Sequence, residues 1–138
     1  MSDGRARVIR LIVAILVAIA GVVWLQPYSV FSPYRAYTTP AREFLRAALA
    51  RDSVELGRRA AASQPVEWGI HAGQGDRRAL AVWANLLRPY SGHRHGDTTT
   101  VVFQTSTRVC HLSPVTLTFV QTTTEPRVLV ASSSCFAR

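Results

Sequence analysis

Residues 98–130 read TTTVVFQTSTRVCHLSPVTLTFVQTTTEPRVLV, and this stretch decides the class of fold. Apolar residues alternate with polar ones in three runs within it: Val101, Phe103 and Val109; Val115, Leu117 and Phe119; and Val128 and Val130. A period of two is typical of strands with one buried face, and the many threonines suit a solvated second face. A Thr-Thr-Glu-Pro turn precedes the last run. The pattern therefore predicts an antiparallel meander.

Upstream of the strands, the apolar residues recur with a helical period. Thr39 before Pro40 is a good helix start, since Thr caps a helix and Pro suits its first position. From there we predict a helix to Arg51–Asp52 and a short second helix from Ser53 to Ala62. A loop over Gln64–Gly75 follows, in which Trp68 and Ile70 are expected to be buried. The next predicted helix starts at Asp76 and ends at Pro89, with Leu80, Trp83, Ala84 and Leu87 on one face, and a polar turn over Ser91–Gly96 comes after it. The predicted class is α+β, with helices packed on a curved antiparallel sheet.

The composition limits the function classes. The chain has 138 residues, a formal net charge of +8 and only Arg among its 16 basic residues, with a mean hydropathy of +0.11. These values exclude a disordered chain and a polytopic membrane protein. The arginines occur singly or in pairs, as in Arg58–Arg59 and Arg77–Arg78, so we expect no nucleic-acid partner. Anionic headgroups or an acidic protein surface suit this charge better.

An uncharged apolar run occupies Leu11–Leu25, which reads LIVAILVAIAGVVWL. Val8 and Ile9 extend the run across Arg10, whose long side chain can reach the headgroups from inside a helix end. The run therefore predicts one N-terminal transmembrane helix in the lipid bilayer, with Arg10 and Trp24 at the membrane interfaces.

The charges that flank this run predict its orientation. Arg5, Arg7 and Arg10 precede it against Asp3, and only Arg35 occurs in the fifteen residues after it. Arginine is enriched on the cytoplasmic side of membrane helices. We expect a single-pass protein of the cytoplasmic (inner) membrane, with its N-terminus inside and its domain in the periplasm.

The alternative for the N-terminal segment is a cleaved signal peptide. Ala18-Ile19-Ala20 fits the small-x-small cleavage pattern, but the apolar run continues where a polar region should begin. An uncleaved anchor is therefore favoured, and both alternatives export the domain. The expected division is a cytoplasmic tip and anchor over 1–25, a linker over 26–40 and an α+β domain over 41–138.

Four aromatic rings recur at every third residue of the predicted linker: Tyr28, Phe31, Tyr34 and Tyr37. Because polyproline II has three residues per turn, all four rings would share one face in that conformation. Such a ridge is a candidate interaction site for a neighbouring membrane protein. The alternative is that the rings cover their own domain or sit among the headgroups.

Cys110 and Cys135 are the two cysteines of the chain. Export and an even cysteine count favour a disulfide between them. The alternative is a pair of buried thiols.

One metal-site candidate is the H-x-H-x-D run of His93, His95 and Asp97, with His111 as an optional further ligand in an open zinc-type site. We favour a solvated turn, so no metal or cofactor is assigned. Glu43 and Glu55 are interpreted as surface ion pairs on Arg-rich helices, and Glu67 with His71 as an ordinary exposed pair. No catalytic residue is assigned.

Residues 40–69 read PAREFLRAALARDSVELGRRAAASQPVEWG and are followed by the helix of Leu80 and Trp83 and by the meander. This order, with its FLRAALARDS opening, resembles the nuclear-transport-factor-two-like superfamily (SnoaL-like, cystatin-like cone) over about residues 39–136. It is most similar to small exported members tethered by one N-terminal helix. The resemblance implies helices curled against a bent sheet around a conical pocket. Catalytic members place a His–Asp pair in the cone; none matches here, so no residue is carried over.

Many members of that superfamily are non-catalytic modules that bind, dimerise or assist larger complexes. We therefore expect an interaction module, an accessory subunit of a larger membrane complex, rather than an enzyme. The alternative is a small-ligand-binding or weakly enzymatic pocket. Trp68, Trp83 and Phe103 discriminate between the two, because they would line a pocket in one case and fill a core in the other.

Overall fold

The structure, a computed structural model, describes residues 2–25, 33–75, 77–105 and 114–133. The chain divides into two compact units, Met1–Ser32 and Pro33–Arg138. The second unit begins earlier than residue 41, the boundary that the sequence suggests, because the segment before the first domain helix already belongs to it.

The first unit contains one long helix, α1 (Ser2–Leu25). Ten large apolar side chains between Val8 and Val22 are at least 50 % exposed on it. Among the described residues, no helix combines the length and the apolar character that a membrane span requires.

The second unit opens with a short 3-10 helix over Arg35–Tyr37. Four α-helices follow it: α2 (Thr38–Leu49), α3 (Ser53–Arg59), α4 (Ser63–Gln74) and α5 (Arg77–Leu86). Helix α2 is central to this layer, since it packs against α3, α4 and α5. Its apolar stripe of Ala41, Phe44, Leu45 and Ala48 is buried, as the helical period predicts.

Four strands form one antiparallel sheet in the order in which they occur: β1 (Leu87–His95), β2 (Thr98–Thr105), β3 (Val115–Gln121) and β4 (Pro126–Ser132). Val101 pairs with Leu117 and Phe103 with Val115, so the buried parities of β2 and β3 face the helices together. On the other face, the hydroxyl oxygens of Thr100 and Thr118 lie 3.0 Å apart. The α+β class and the antiparallel meander are confirmed.

The loop predicted over Gln64–Gly75 is wrong, because this segment forms α4. Pro65 lies in the first helical turn, where its missing N–H is tolerated. The glycines serve packing: a Cβ on Gly69 would lie 2.8 Å from Leu56 Cδ2, and one on Gly73 would lie 2.3 Å from the Ala48 carbonyl oxygen. Close approach of α4 to its neighbours thus outweighs the low helix propensity of glycine. Trp68 is buried as expected, but Ile70 is exposed.

The polar turn predicted over Ser91–Gly96 is also wrong. These residues except Gly96 belong to β1, which pairs with β2 through a two-residue connection at Gly96 and Asp97. Gly96 has a φ of 61°, which favours glycine. Beyond Pro89, most side chains of β1 are exposed, so no apolar alternation marks it in the sequence.

The contact between Gly73 and Ala48 generates a stability prediction. Gly73→Ala should lower the free energy of unfolding by about 1–3 kcal/mol, because its Cβ would overlap a backbone oxygen that cannot rotate away. Gly57→Ala is the matched control: it lies in α3 with open space around its Cβ and should gain about 0.5–1 kcal/mol. Urea unfolding of the full chain, followed by tryptophan fluorescence, measures both. Equal stability of the two variants would contradict the close packing of α4 on α2.

Candidate functional site

The polyproline II interpretation is wrong for the part of the aromatic segment that the structure describes. Residues Arg35–Tyr37 form a 3-10 helix, and α2 begins directly after them at Thr38. Tyr34 and Tyr37 are half-buried against the domain core. The alternative, that the rings cover their own domain, therefore describes these two residues.

Hydrogen bonds hold both tyrosines on the inner face of the sheet. The Tyr34 hydroxyl donates to the Gly92 carbonyl oxygen at 2.8 Å, and its ring lies so close that a Cβ at Gly92 would be 2.9 Å from it. The Tyr37 hydroxyl donates to Thr99 Oγ1 at 3.2 Å, and its ring centroid is 5.0 Å from that of Phe119. The segment before α2 is thus fixed to β1, β2 and β3.

Several predicted site residues lie outside the described residues, and two others belong to α1. Tyr28 and Phe31 of the aromatic segment are outside them, and so are Cys110 and Cys135, whose disulfide stays a prediction. Arg10 is exposed on α1, and Trp24 belongs to the same helix.

The candidate metal ligands are spread along a hairpin. His93 and His95 are exposed residues of β1, opposite Thr100 and Thr98 on the outer face, and Asp97 lies in the connection to β2. His111 is outside the described residues. In the part of the chain that the structure describes, no group of three or more His, Cys, Asp or Glu side chains is placed to hold a metal ion.

Trp68, Trp83 and Phe103 are buried in one apolar cluster between the helices and the sheet. Trp68 stacks on Phe44 with ring centroids 6.0 Å apart, and Phe103 meets Phe119 edge-on at 6.4 Å. Aromatic pairs at such distances stabilise a packed interior. The residues that could line a pocket are therefore part of the packed core, while Glu67 and His71 are exposed on α4.

Arg59 is the centre of a partly buried ion-pair network. This residue was not predicted as a site from the sequence. Its guanidinium is 2.5 Å from Glu43 Oε2, 2.9 Å from Glu55 Oε1 and 3.1 Å from Glu125 Oε2. Arg58 adds a bond to the other oxygen of Glu55 at 2.9 Å. The expected ion pairing of Glu43 and Glu55 is confirmed, but both converge on one arginine that also reaches the β3–β4 turn.

Electrostatics favour the charged form of Arg59. Burial lowers its pKa, but the hydrogen bond to Glu55 and the charges of Glu43, Glu125 and Glu55 outweigh that effect and raise the pKa above its ordinary value. Because a raised arginine pKa loses its stabilising contribution only in strongly alkaline solution, the network persists through the physiological pH range.

Helix α4 covers the free edge of β4 with a side chain. Gln64 Nε2 donates to the Ala131 carbonyl oxygen at 2.8 Å, and the Ala131 N–H donates to Gln64 Oε1 at 2.9 Å. The Ala61 N–H donates to the Val128 carbonyl oxygen at 2.7 Å. Edge strands are commonly protected in this way against pairing with other chains.

No protein-family model matches the chain, and no curated protein sequence or solved structure matches it significantly. The geometry shows a domain whose interior is packed with aromatic rings and a separate helix that exposes many apolar side chains.

The Arg59 network predicts a difference between two neighbouring arginines. Arg59→Gln should lower the free energy of unfolding by about 1–2 kcal/mol, because one change leaves three half-buried carboxylates without their shared partner. Arg58→Gln should cost at most about 0.5 kcal/mol, since Arg58 forms one exposed pair. Urea unfolding at about pH 6 and about pH 9 should give the same difference, because arginine stays charged throughout. A large loss in Arg58→Gln would contradict this assignment.

Proposed function

We propose that this chain is a membrane-anchored, extracytoplasmic interaction module that acts as a non-catalytic accessory subunit of a larger membrane complex. The observation that carries the proposal is the exposure of α1: ten large apolar side chains on one helix are at least half exposed. Such a surface is costly in water and is stabilised by lipid or by another apolar surface. The uncharged sequence from Leu11 to Leu25 supports lipid as the surround.

The packed interior of the second unit supports binding rather than catalysis. Trp68, Trp83 and Phe103 are used to fill the core. Thr99 and Thr105 are the buried polar residues of the part of the chain that the structure describes. A ligand pocket requires several polar groups directed at one point, and this packing favours the interaction module over the pocket alternative.

The proposal extends to the fold family. The resemblance to the nuclear-transport-factor-two-like superfamily rests on helices followed by a strand meander, and the second unit has its helices before its antiparallel sheet. This order supports assignment to that superfamily as part of the proposal.

The interaction surface is proposed to include the aromatic residues that lie before the domain. Tyr34 and Tyr37 pack on the sheet, so Tyr28 and Phe31 are the rings left for a partner. Aromatic side chains dominate the energetics of many interfaces. The partner in this proposal is a neighbouring membrane protein.

Membrane topology gives the first test. Alkaline phosphatase fused after Arg138 should be active, a fluorescent protein fused there should be dark, and the chain should resist carbonate extraction. The two reporters should behave in this way because the arginine-rich end of the helix is retained in the cytoplasm, which places Arg138 on the other side of the membrane. A mature chain beginning at Gly21 would remove the anchor from the proposal and leave export intact. An active cytoplasmic reporter would overturn both.

Assembly gives the second test. Solubilised in a mild detergent, the wild-type chain should migrate on native gels at a mass well above that of its own monomer. Tyr28→Ser with Phe31→Ser should return it to the monomer position without lowering the melting temperature, because two anchoring rings are lost and no described packing is disturbed. Ser29→Ala with Ser32→Ala is the control from the same segment and should leave the assembly intact.

Tyr34→Ser serves as the opposite control. It should lower the melting temperature, because it removes the hydrogen bond and the ring contact at Gly92. A wild-type chain that migrates as a monomer, or a Tyr28/Phe31 variant that stays in the assembly, would contradict the proposal.

A further inference from the structure

Two guanidinium groups converge on one carbonyl oxygen where α2, α4 and α5 meet. Arg51 follows α2, and Arg77 is the first residue of α5. Arg51 Nε donates to the Gly73 carbonyl oxygen at 3.3 Å, and an Nη atom of Arg77 donates to the same oxygen at 3.4 Å. This oxygen lies in the last turn of α4, where carbonyls lack helical partners. One cation complements the negative end of a helix, so the second adds a like charge beside the first.

The described neighbours of this pair do not neutralise it. In residues 33–75, 77–105 and 114–133, no carboxylate oxygen lies within 4.0 Å of either guanidinium. The glutamates of the α2–α3 region are held at Arg59 instead. Both Arg51 and Arg77 are exposed, so a ligand can reach them from solvent.

The backbone at Arg51 adds an independent observation. Arg51 has a φ of 56°, and among the described residues it is the non-glycine residue with a positive φ. It ends α2 in the left-handed conformation, a position at which glycine is normally favoured. Arginine at this position directs its guanidinium to Gly73 at the cost of backbone strain, and such strain clusters at functional sites.

We propose that Arg51 and Arg77 together bind a phosphate group, carried either by soluble phosphate or by an anionic lipid headgroup. Each guanidinium uses one N–H on Gly73 and has further N–H donors for a ligand. Two guanidiniums that share one acceptor lie close to each other, and planar guanidiniums suit the bidentate recognition of phosphate oxygens. The bound anion would also offset the repulsion between the two cations. This site is independent of the anchor and of the accessory role proposed above.

The test follows the Nε–Hε signals of Arg51 and Arg77 by nuclear magnetic resonance, with the full chain in phosphatidylcholine bicelles. In one arm, inorganic phosphate replaces chloride at constant ionic strength. In the other, phosphatidylglycerol replaces part of the phosphatidylcholine. Saturable shifts of both signals in the first arm identify soluble phosphate, and shifts in the second arm alone identify a lipid headgroup; either result supports the site. Arg94, exposed on β1, should not follow them, because no second described arginine is bonded to its acceptor, the Gly96 carbonyl oxygen.

Three variants make the result specific. Arg51→Gln with Arg77→Gln should weaken binding at least tenfold. Arg51→Gly relieves the left-handed backbone and should keep the fold while it loses binding, which separates recognition from a structural capping role. Asp76→Asn tests the acidic residue next to Arg77 in sequence. No shift in either arm, unchanged binding by Arg51→Gly, or binding by Asp76→Asn alone would overturn the proposal.

Discussion

The backbone contact between Gly73 of α4 and the Ala48 carbonyl of α2 determines how the helical layer is arranged. Because a Cβ at Gly73 would be 2.3 Å from that oxygen, the two helices leave no room for a side chain between their backbones here. This approach brings Trp68 onto Phe44 and places Gln64 at the edge of β4. It also leaves the Gly73 carbonyl between Arg51 and Arg77. The close approach of α4 to α2 therefore underlies the Trp68–Phe44 contact, the cover of the β4 edge by Gln64 and the arginine pair at Gly73.

The parts of the fold that could be predicted are those in which burial leaves a period in the sequence. Helix α5 buries Leu80, Trp83 and Ala84 on one side, and β3 alternates buried and half-buried residues throughout. Helix α4 was missed because its glycines and Pro65 argue against a helix locally, whereas their packing partners lie elsewhere in the chain. Strand β1 was missed because an exposed edge strand needs no apolar alternation.

The functional side chains were harder to predict than the fold, because their partners are far away in sequence. Arg59 and Glu125 are 66 residues apart, and Arg51 and Gly73 are 22 apart. The pairs of Arg58 and Arg59 with Glu55, in contrast, follow a helical spacing that the sequence displays. Tyr34 illustrates the same limit: its regular spacing left both a docking ridge and a cover for its own domain open, and its contact with Gly92 depends on a strand that the sequence did not predict.

The order of elements along the chain also determines when the domain can fold during its synthesis. Helices α2 to α5 emerge from the ribosome before β1, so their apolar faces exist before the strands that cover them. The two hydrogen bonds of Gln64 can form only after Ala131, 67 residues later in the chain, has been synthesised. Contacts of such long sequence separation form slowly. Until β4 has been made, the nascent helices carry Phe44, Trp68 and Trp83 without the complete sheet that packs against them in the folded domain.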